Sequence, residues 1–188
     1  MTRTDTDAAA VWSRSLSALF GEGMFAAVGA RRRDDWRLDA LDVMRLTTGD
    51  PRGWSRRISA AGGSAHGLGA DGPFGAVVRA TFDGAYPVSR RSAEQIVVTL
   101  HGAWFQTDDI PDFSVREPGL TAHAGVLPGR FGADAVLFTN AVTARTDPHA
   151  DMFHRDGVYE GFTGHAMDCG VIAVSATEVG VFWAFSTD

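Results

Sequence analysis

The sequence predicts an α+β protein, mainly antiparallel β, in which a small β-barrel follows an N-terminal helical segment. Three observations predict it: an apolar stripe with helical spacing near the start, repeated apolar–polar alternation after residue 73, and polar turns between the alternating runs. The chain divides into a helical segment over residues 1–60, a glycine-rich linker over 61–73 and a barrel over 74–188.

Two helices are predicted in the first segment. Thr6 or Asp7 can cap the first helix. Its apolar stripe recurs at helical spacing and consists of Trp12, Leu16, Leu19 and Phe20. A second helix is predicted over 35–46, and the turn residues 47–51 end it. Both stripes need a surface to bury against, which leaves core packing, a lid over a barrel mouth and a homodimer contact as their uses.

The linker over 61–73 predicts a flexible connection or a mobile lid, because glycine recurs throughout it. A phosphate-binding loop is not favoured, since no lysine follows these glycines and no buried strand precedes them.

Apolar–polar alternation after the linker predicts strands over 74–83, 95–104, 120–126 and 134–145. The apolar runs 171–176 and 181–186 predict a hairpin that turns at 177–180. Because both runs are apolar at successive positions, we expect the hairpin to be covered on both faces.

Composition and charge exclude several classes of protein. The net charge of −6 disfavours nucleic acid as a partner, because phosphate binding needs a basic surface. The run 31–33 is arginine, but Asp34 and Asp35 follow it directly, so a solvated turn is predicted there. The single cysteine, Cys169, excludes an internal disulfide framework. Without a secretory signal or a membrane-spanning apolar stretch, a cytoplasmic protein is expected.

The segment 157–164 alternates glycines with aromatic side chains and predicts a bent strand. Its pattern, Gly157-x-Tyr159-x-Gly161-x-Thr163-Gly164, resembles a strand motif of allene-oxide-cyclase-like barrels. These include cyclases that close spirotetronate and spirotetramate polyketides by a Diels–Alder reaction. The resemblance implies an eight-stranded barrel around a small apolar substrate, with no metal or other cofactor, and with residues 1–60 as a lid.

Such a cycloaddition needs rigid apolar walls that fold a polyene and exclude water, with hydrogen-bond donors that polarise a carbonyl. The candidate catalytic donors are Tyr159, His101 and His123. The candidate substrate-binding side chains are Trp104, Phe138, Arg145, Phe162 and Trp183. The leading hypothesis is therefore a small-molecule-binding barrel with cofactor-independent cyclase or isomerase activity on an apolar, polyketide-like substrate. The alternative is a non-catalytic structural or interaction protein in which these side chains only form the core.

The segment 168–170, Asp-Cys-Gly, resembles the nucleophile segment of ubiquitin-like-protein proteases. The resemblance implies a thiolate at Cys169 activated by His101, with Asp108 or Asp109 orienting the imidazole. The glutamine expected before the cysteine and the tryptophan expected directly after the histidine are both absent. A cysteine-dependent hydrolase is the second alternative.

Possible metal ligands are clustered in sequence at His149, Asp151, His154, Asp156 and His165. His149 and His154 are five positions apart, which places them on neither one helix face nor one strand face. A polar loop accounts for this composition, and no metal site is predicted.

Overall fold

A computed structural model describes residues 3–21, 24–54, 72–154 and 157–186, which form an antiparallel sheet with helices on both faces. The strands are β1 (Met24–Ala30), β2 (Tyr86–Val88), β3 (Val136–Thr139), β4 (Met167–Val174) and β5 (Glu178–Ser186). The α-helices are α1 (Arg3–Leu19), α2 (Trp36–Met44), α3 (Arg90–Thr99), α4 (Phe113–Gly129) and α5 (Thr143–Thr146). Short 3₁₀ helices cover Gly72–Phe74, Arg79–Gly84 and Thr107–Asp109.

The five strands lie in the order β1-β5-β4-β3-β2, and each neighbouring pair is antiparallel. Among the described residues the sheet is open, with β1 and β2 at its edges, so the α+β class is confirmed and the barrel is not. β1 lies inside the segment predicted to be helical. It pairs with β5 from Met24 opposite Ala184 to Ala30 opposite Glu178.

The sheet separates two apolar cores. Helices α1, α3 and α4 cover one face, whereas α2 and the first two 3₁₀ helices cover the other. Because successive strand residues point to opposite faces, β5 supplies Phe182 to the first core and Val181 and Trp183 to the second. The prediction that the hairpin is covered on both faces is therefore confirmed.

Both N-terminal helices and the C-terminal hairpin form as the sequence predicts. The stripe of α1 is buried, and the Asp35 side chain caps α2 by accepting a hydrogen bond from the Arg37 N–H. The hairpin turns at 175–177, two residues earlier than predicted. Ser175 sets this turn, since its Oγ accepts from the N–H groups of Thr177 and Glu178 at 3.2 and 2.9 Å.

The strands predicted over 95–104 and 120–126 are wrong, because these residues lie mainly in α3 and α4. Ser89 caps α3 by accepting from the Ser92 N–H, and the neighbouring apolar positions then follow helical spacing. Leu120, Ala124 and Leu127 likewise form one buried stripe of α4. Alternate apolar residues in these runs also satisfy a helical stripe, and in α3 the cap at Ser89 decides between the two.

The strands predicted over 74–83 and 134–145 are also corrected. The first is replaced by two 3₁₀ helices and a connecting turn, whose apolar side chains Phe74, Val77 and Phe82 are buried against α2. The second is limited to β3. It stops before Asn140, whose side-chain amide donates to the backbone carbonyls of Glu160 and Asp168.

The predicted linker lies almost wholly outside the described residues, which resume at Gly72. Within the part of the chain that the structure describes, no helix combines the length and the apolar character needed to cross a membrane.

Candidate functional site

A cavity of about 680 Å³ opens at the end of the sheet where β1 ends, the β4–β5 hairpin turns and β3 begins. Three arginines line it: Arg31, Arg52 and Arg130. Its remaining lining is largely apolar and comes from Trp36, the 131–136 loop, Phe138 and the hairpin residues 174–177. We call it the first cavity. It lies beside both cores and combines apolar walls with cationic groups.

Two aromatic rings form one wall of the first cavity. Trp36, at the start of α2, stacks on Phe138 of β3 with ring centroids 4.4 Å apart and an interplanar angle of 20°. Phe82 also packs edge-on against the Trp36 ring, with centroids 5.4 Å apart. This wall is therefore held in place from two elements before any ligand arrives. Phe138, predicted from sequence as a substrate-binding residue, lies at the cavity.

A buried ionic cluster lies at the first cavity and is centred on Arg130. The Arg130 side chain is fully buried and donates to Asp50 and to Glu178, the latter at 2.7 Å. Trp12 and Trp54 pack on its guanidinium at 4.9 and 5.1 Å from the ring centroids. Burial acts to lower the pKa of Arg130, but the hydrogen bonds to both carboxylates outweigh it and raise that pKa. Arg130 is thus a fixed cation with matched anionic partners.

Arg31 is held differently from Arg130. Its Nη1 donates to the Ser175 carbonyl at 3.0 Å and its Nη2 to the Asp34 carbonyl at 3.2 Å. The turn that carries it is fixed by Asp39, a buried carboxylate that accepts from the N–H groups of Arg32 and Arg33 at 3.1 and 3.0 Å. The arginine run is therefore a built turn, and its half-buried first member faces the cavity instead of being fully solvated.

A second cavity of about 410 Å³ lies at the opposite end of β5. It is lined by Ser17, Ala18, Phe20, Gly21, Met24, Leu100, His101, Gly102, Ala103, Phe105, Ala184 and Phe185. His101, the predicted catalytic donor, is half-buried there. Its Nε2 is buried and has no hydrogen-bond partner among the described residues. Because that nitrogen is covered, it is not offered to a ligand in this conformation.

Burial lowers the pKa of His101, and the positive charge of Arg116 on α4 lowers it further. We expect the imidazole to titrate below 6.5 when followed by NMR, and an R116Q variant to shift the midpoint upward. As the pH falls below 6.5 the unfolded chain takes up the proton first, so stability is lost as the pH falls through the lower, folded-state value. A midpoint at or above 6.5 would contradict this environment.

The other predicted catalytic residues lie away from both cavities. Tyr159 is half-buried, and its hydroxyl donates to the Phe105 carbonyl at 3.4 Å, behind the wall of the second cavity. His123 lies on α4, where its Nδ1 is 3.1 Å from Oγ of the buried Ser15 on α1. The structure therefore does not bring Tyr159, His101 and His123 together at one cavity wall.

The remaining predicted binding residues are also dispersed. Phe162 and Trp183 are buried against each other, with ring centroids 5.0 Å apart in the core under α2. Trp104 is 44% exposed on the loop after α3, and Arg145 is exposed on α5, with its guanidinium 6.0 Å from the Tyr86 ring centroid. None of these four lines either cavity.

The segment 157–164 forms no strand: a single bridge pairs Tyr159 with Ala141, and the chain bends at Thr163 and Gly164. Neither Gly161 nor Gly164 has a positive φ, and a Cβ atom added to either would meet no atom within 4 Å. Sterics therefore do not require these two glycines. The end of the segment is fixed instead by Asp168, which accepts from the N–H groups of Phe162 and Thr163.

The residues of the hydrolase hypothesis do not form an open site. Cys169 is fully buried in the core beneath α3, and Asp108 and Asp109 are exposed in a 3₁₀ helix. Of the possible metal ligands, His154 pairs with Asp151 at 3.1 Å, and Asp156 lies outside the described residues. No three histidine, cysteine or carboxylate side chains in the described ranges come together as metal ligands would.

Sequence reasoning missed Arg31, Arg130, Asp50 and Glu178. An arginine run directly after an apolar stretch was the available signal for Arg31, since such a stretch can be a buried strand that delivers the run to a sheet end. The ionic cluster gave no local signal, because its members are far apart in the chain.

No protein-family model, no curated protein and no solved structure matches this chain. The resemblances to allene-oxide-cyclase-like barrels and to ubiquitin-like-protein proteases therefore stay predictions.

Proposed function

We propose that this protein binds a small, largely apolar molecule in the first cavity. The observation that carries the proposal is the stacked pair Trp36 and Phe138 on the cavity wall. Ligand sites commonly measure about 300–1,000 Å³ and combine aromatic walls with a few polar groups. The first cavity fits this description in its volume of about 680 Å³ and in its lining.

Apolar surface is already available at this site. Val136 is 49% exposed and borders the cavity next to the stacked rings. Covering such surface contributes about 25 cal/mol per Å² to binding. Because Phe82 and Phe138 both pack against the Trp36 ring, little conformational freedom is lost when a ligand covers it.

If the protein is a cyclase or isomerase that acts in the first cavity, its hydrogen-bond donors are not the three predicted from the sequence. The polar groups that line the first cavity include the guanidinium groups of Arg31 and Arg52, and include none of Tyr159, His101 and His123. A guanidinium can polarise a carbonyl by donating hydrogen bonds to its oxygen. Binding is the part of the hypothesis that the cavity supports directly, so it is tested first.

A pair of matched variants tests which cavity binds the ligand. N-phenyl-1-naphthylamine, an uncharged apolar fluorophore, is titrated into the protein and excited directly. Ala133 and Ala103 are both exposed, and each lines one cavity, the first and the second respectively. We expect saturable binding of the fluorophore to the unsubstituted protein. A133W should weaken this binding about tenfold, a loss of about 1.4 kcal/mol, because its indole fills the first cavity.

The A103W variant serves as the control, because it adds the same indole at the other cavity. It should leave the affinity for the fluorophore within about twofold of the unsubstituted protein. The proposal is wrong if the unsubstituted protein shows no saturable binding, or if A103W weakens binding as much as A133W does.

A further inference from the structure

We propose that the ligand of the first cavity carries an oxyanion, such as a carboxylate or sulfonate, and that Arg31 binds it. This inference rests on the proposed function and narrows its ligand to an amphiphilic anion. The argument depends on which of the cavity's arginines already have their charge matched by protein carboxylates.

Two of the three cavity arginines are matched. Arg130 pairs with Asp50 and Glu178, and Arg52 pairs with Glu178 at 2.7 Å. The two buried carboxylates therefore largely neutralise the positive charges of Arg130 and Arg52. An anion arriving at these groups would have to compete with fixed, short ion pairs.

The charge of Arg31 is not matched in this way. No carboxylate of the described residues forms an ion pair with it, and its two acceptors there are neutral carbonyl oxygens. A guanidinium has five N–H donors, and these two bonds use two of them. The bonds orient the group at the cavity wall without neutralising it.

An oxyanion can both neutralise the charge of Arg31 and accept hydrogen bonds from its remaining N–H groups. Hydrogen bonds between a guanidinium and an oxyanion are stronger than those to neutral acceptors, particularly where the donor is half-buried and oriented beforehand. The ligand's apolar part can then cover the Trp36–Phe138 wall, which borders the same cavity. Asp134, an exposed acidic residue that also lines the cavity, opposes the anion.

Two fluorophores that differ in one charged group test the inference. 1-Anilinonaphthalene-8-sulfonate is N-phenyl-1-naphthylamine with a sulfonate added, so comparing their affinities isolates the anion. We expect R31Q to weaken binding of the sulfonate about tenfold and to change binding of the neutral fluorophore less than about twofold. D134N should strengthen binding of the sulfonate alone, and added salt should weaken it alone.

R32Q is the matched control, because Arg32 is the exposed neighbour of Arg31, does not line the cavity and carries the same charge. It should leave both affinities within about twofold. Equal losses of sulfonate binding in R31Q and R32Q would overturn the inference, as would no preference for the sulfonate over the neutral fluorophore. In both cases saturable binding of the neutral fluorophore leaves the proposed function standing, whereas its absence contradicts the proposed function itself.

Discussion

Replacing Asp168 by alanine should lower the free energy of unfolding by about 4 kcal/mol. The Asp168 carboxylate is fully buried and accepts from the N–H groups of Phe162 and Thr163, the Thr163 hydroxyl and the Trp183 indole at 2.7–3.1 Å. Alanine leaves these donors without an acceptor, and each buried, unsatisfied donor costs about 1–3 kcal/mol. Equilibrium unfolding in urea, followed by far-UV circular dichroism, measures the loss.

A T163V variant is the control for this prediction. It removes the Thr163 hydroxyl, which donates to Asp168 at 2.7 Å, and keeps the carboxylate with its other donors. The same hydroxyl accepts from the His165 N–H at 3.3 Å, so two hydrogen bonds are lost and we expect a cost of about 1–2 kcal/mol. A D168A variant no less stable than T163V would mean that water or a shifted loop replaces the carboxylate.

Replacing Arg130 by methionine should destabilise the fold by about 3–5 kcal/mol, because it removes the cation shared by two buried carboxylates, Asp50 and Glu178. Glu178 keeps its ion pair with Arg52, which favours the lower end of this range. Methionine fills much of the same volume, so the charge is the main property that changes. The urea midpoint should fall with little change in the slope of the transition.

The triple variant R130M/D50N/E178Q separates charge from shape. Neutral amides need no cation, so most of the lost stability should return. Buried ion clusters can often be replaced without loss when all their members are changed together. Arg52 also loses its ion pair with Glu178, but its side chain is 38% exposed, so water can solvate the guanidinium. If the triple variant is no more stable than R130M, uncompensated charge is not the reason for the loss.

Helix α1 was predictable because its apolar stripe follows the helical period, and the hairpin was predictable because two short apolar runs stand on either side of turn residues. β1 was not, since Met24–Ala30 is buried on both faces and shows no alternation. Helices α3 and α4 were predicted as strands because both contain apolar residues two positions apart. In α3, the intervening apolar residue Val97 and the N-cap at Ser89 indicate a helix instead. The N-cap was the local signal that could have corrected α3.

The sequence could suggest a residue of the candidate site only where that residue type commonly has a functional role. Phe138 and His101 were proposed from sequence as an aromatic and an imidazole, each lines a cavity, and their roles stay predictions. Arg31 could not be ranked above the other arginines, because its distinction depends on the carbonyl of Ser175, which the fold brings from the other end of the chain. The same holds for Arg130 and its carboxylate partners.

The position of β1 at the sheet edge has a consequence for how the chain folds. β1 and β5 come from opposite ends of the described chain, so their pairing closes a loop of nearly its full length and is expected late in folding. Until then β5, nine residues long and largely apolar, has one unpaired edge. A β1 strand from a second molecule can occupy that edge, and strand-exchanged dimers are therefore the expected by-product of refolding at high protein concentration.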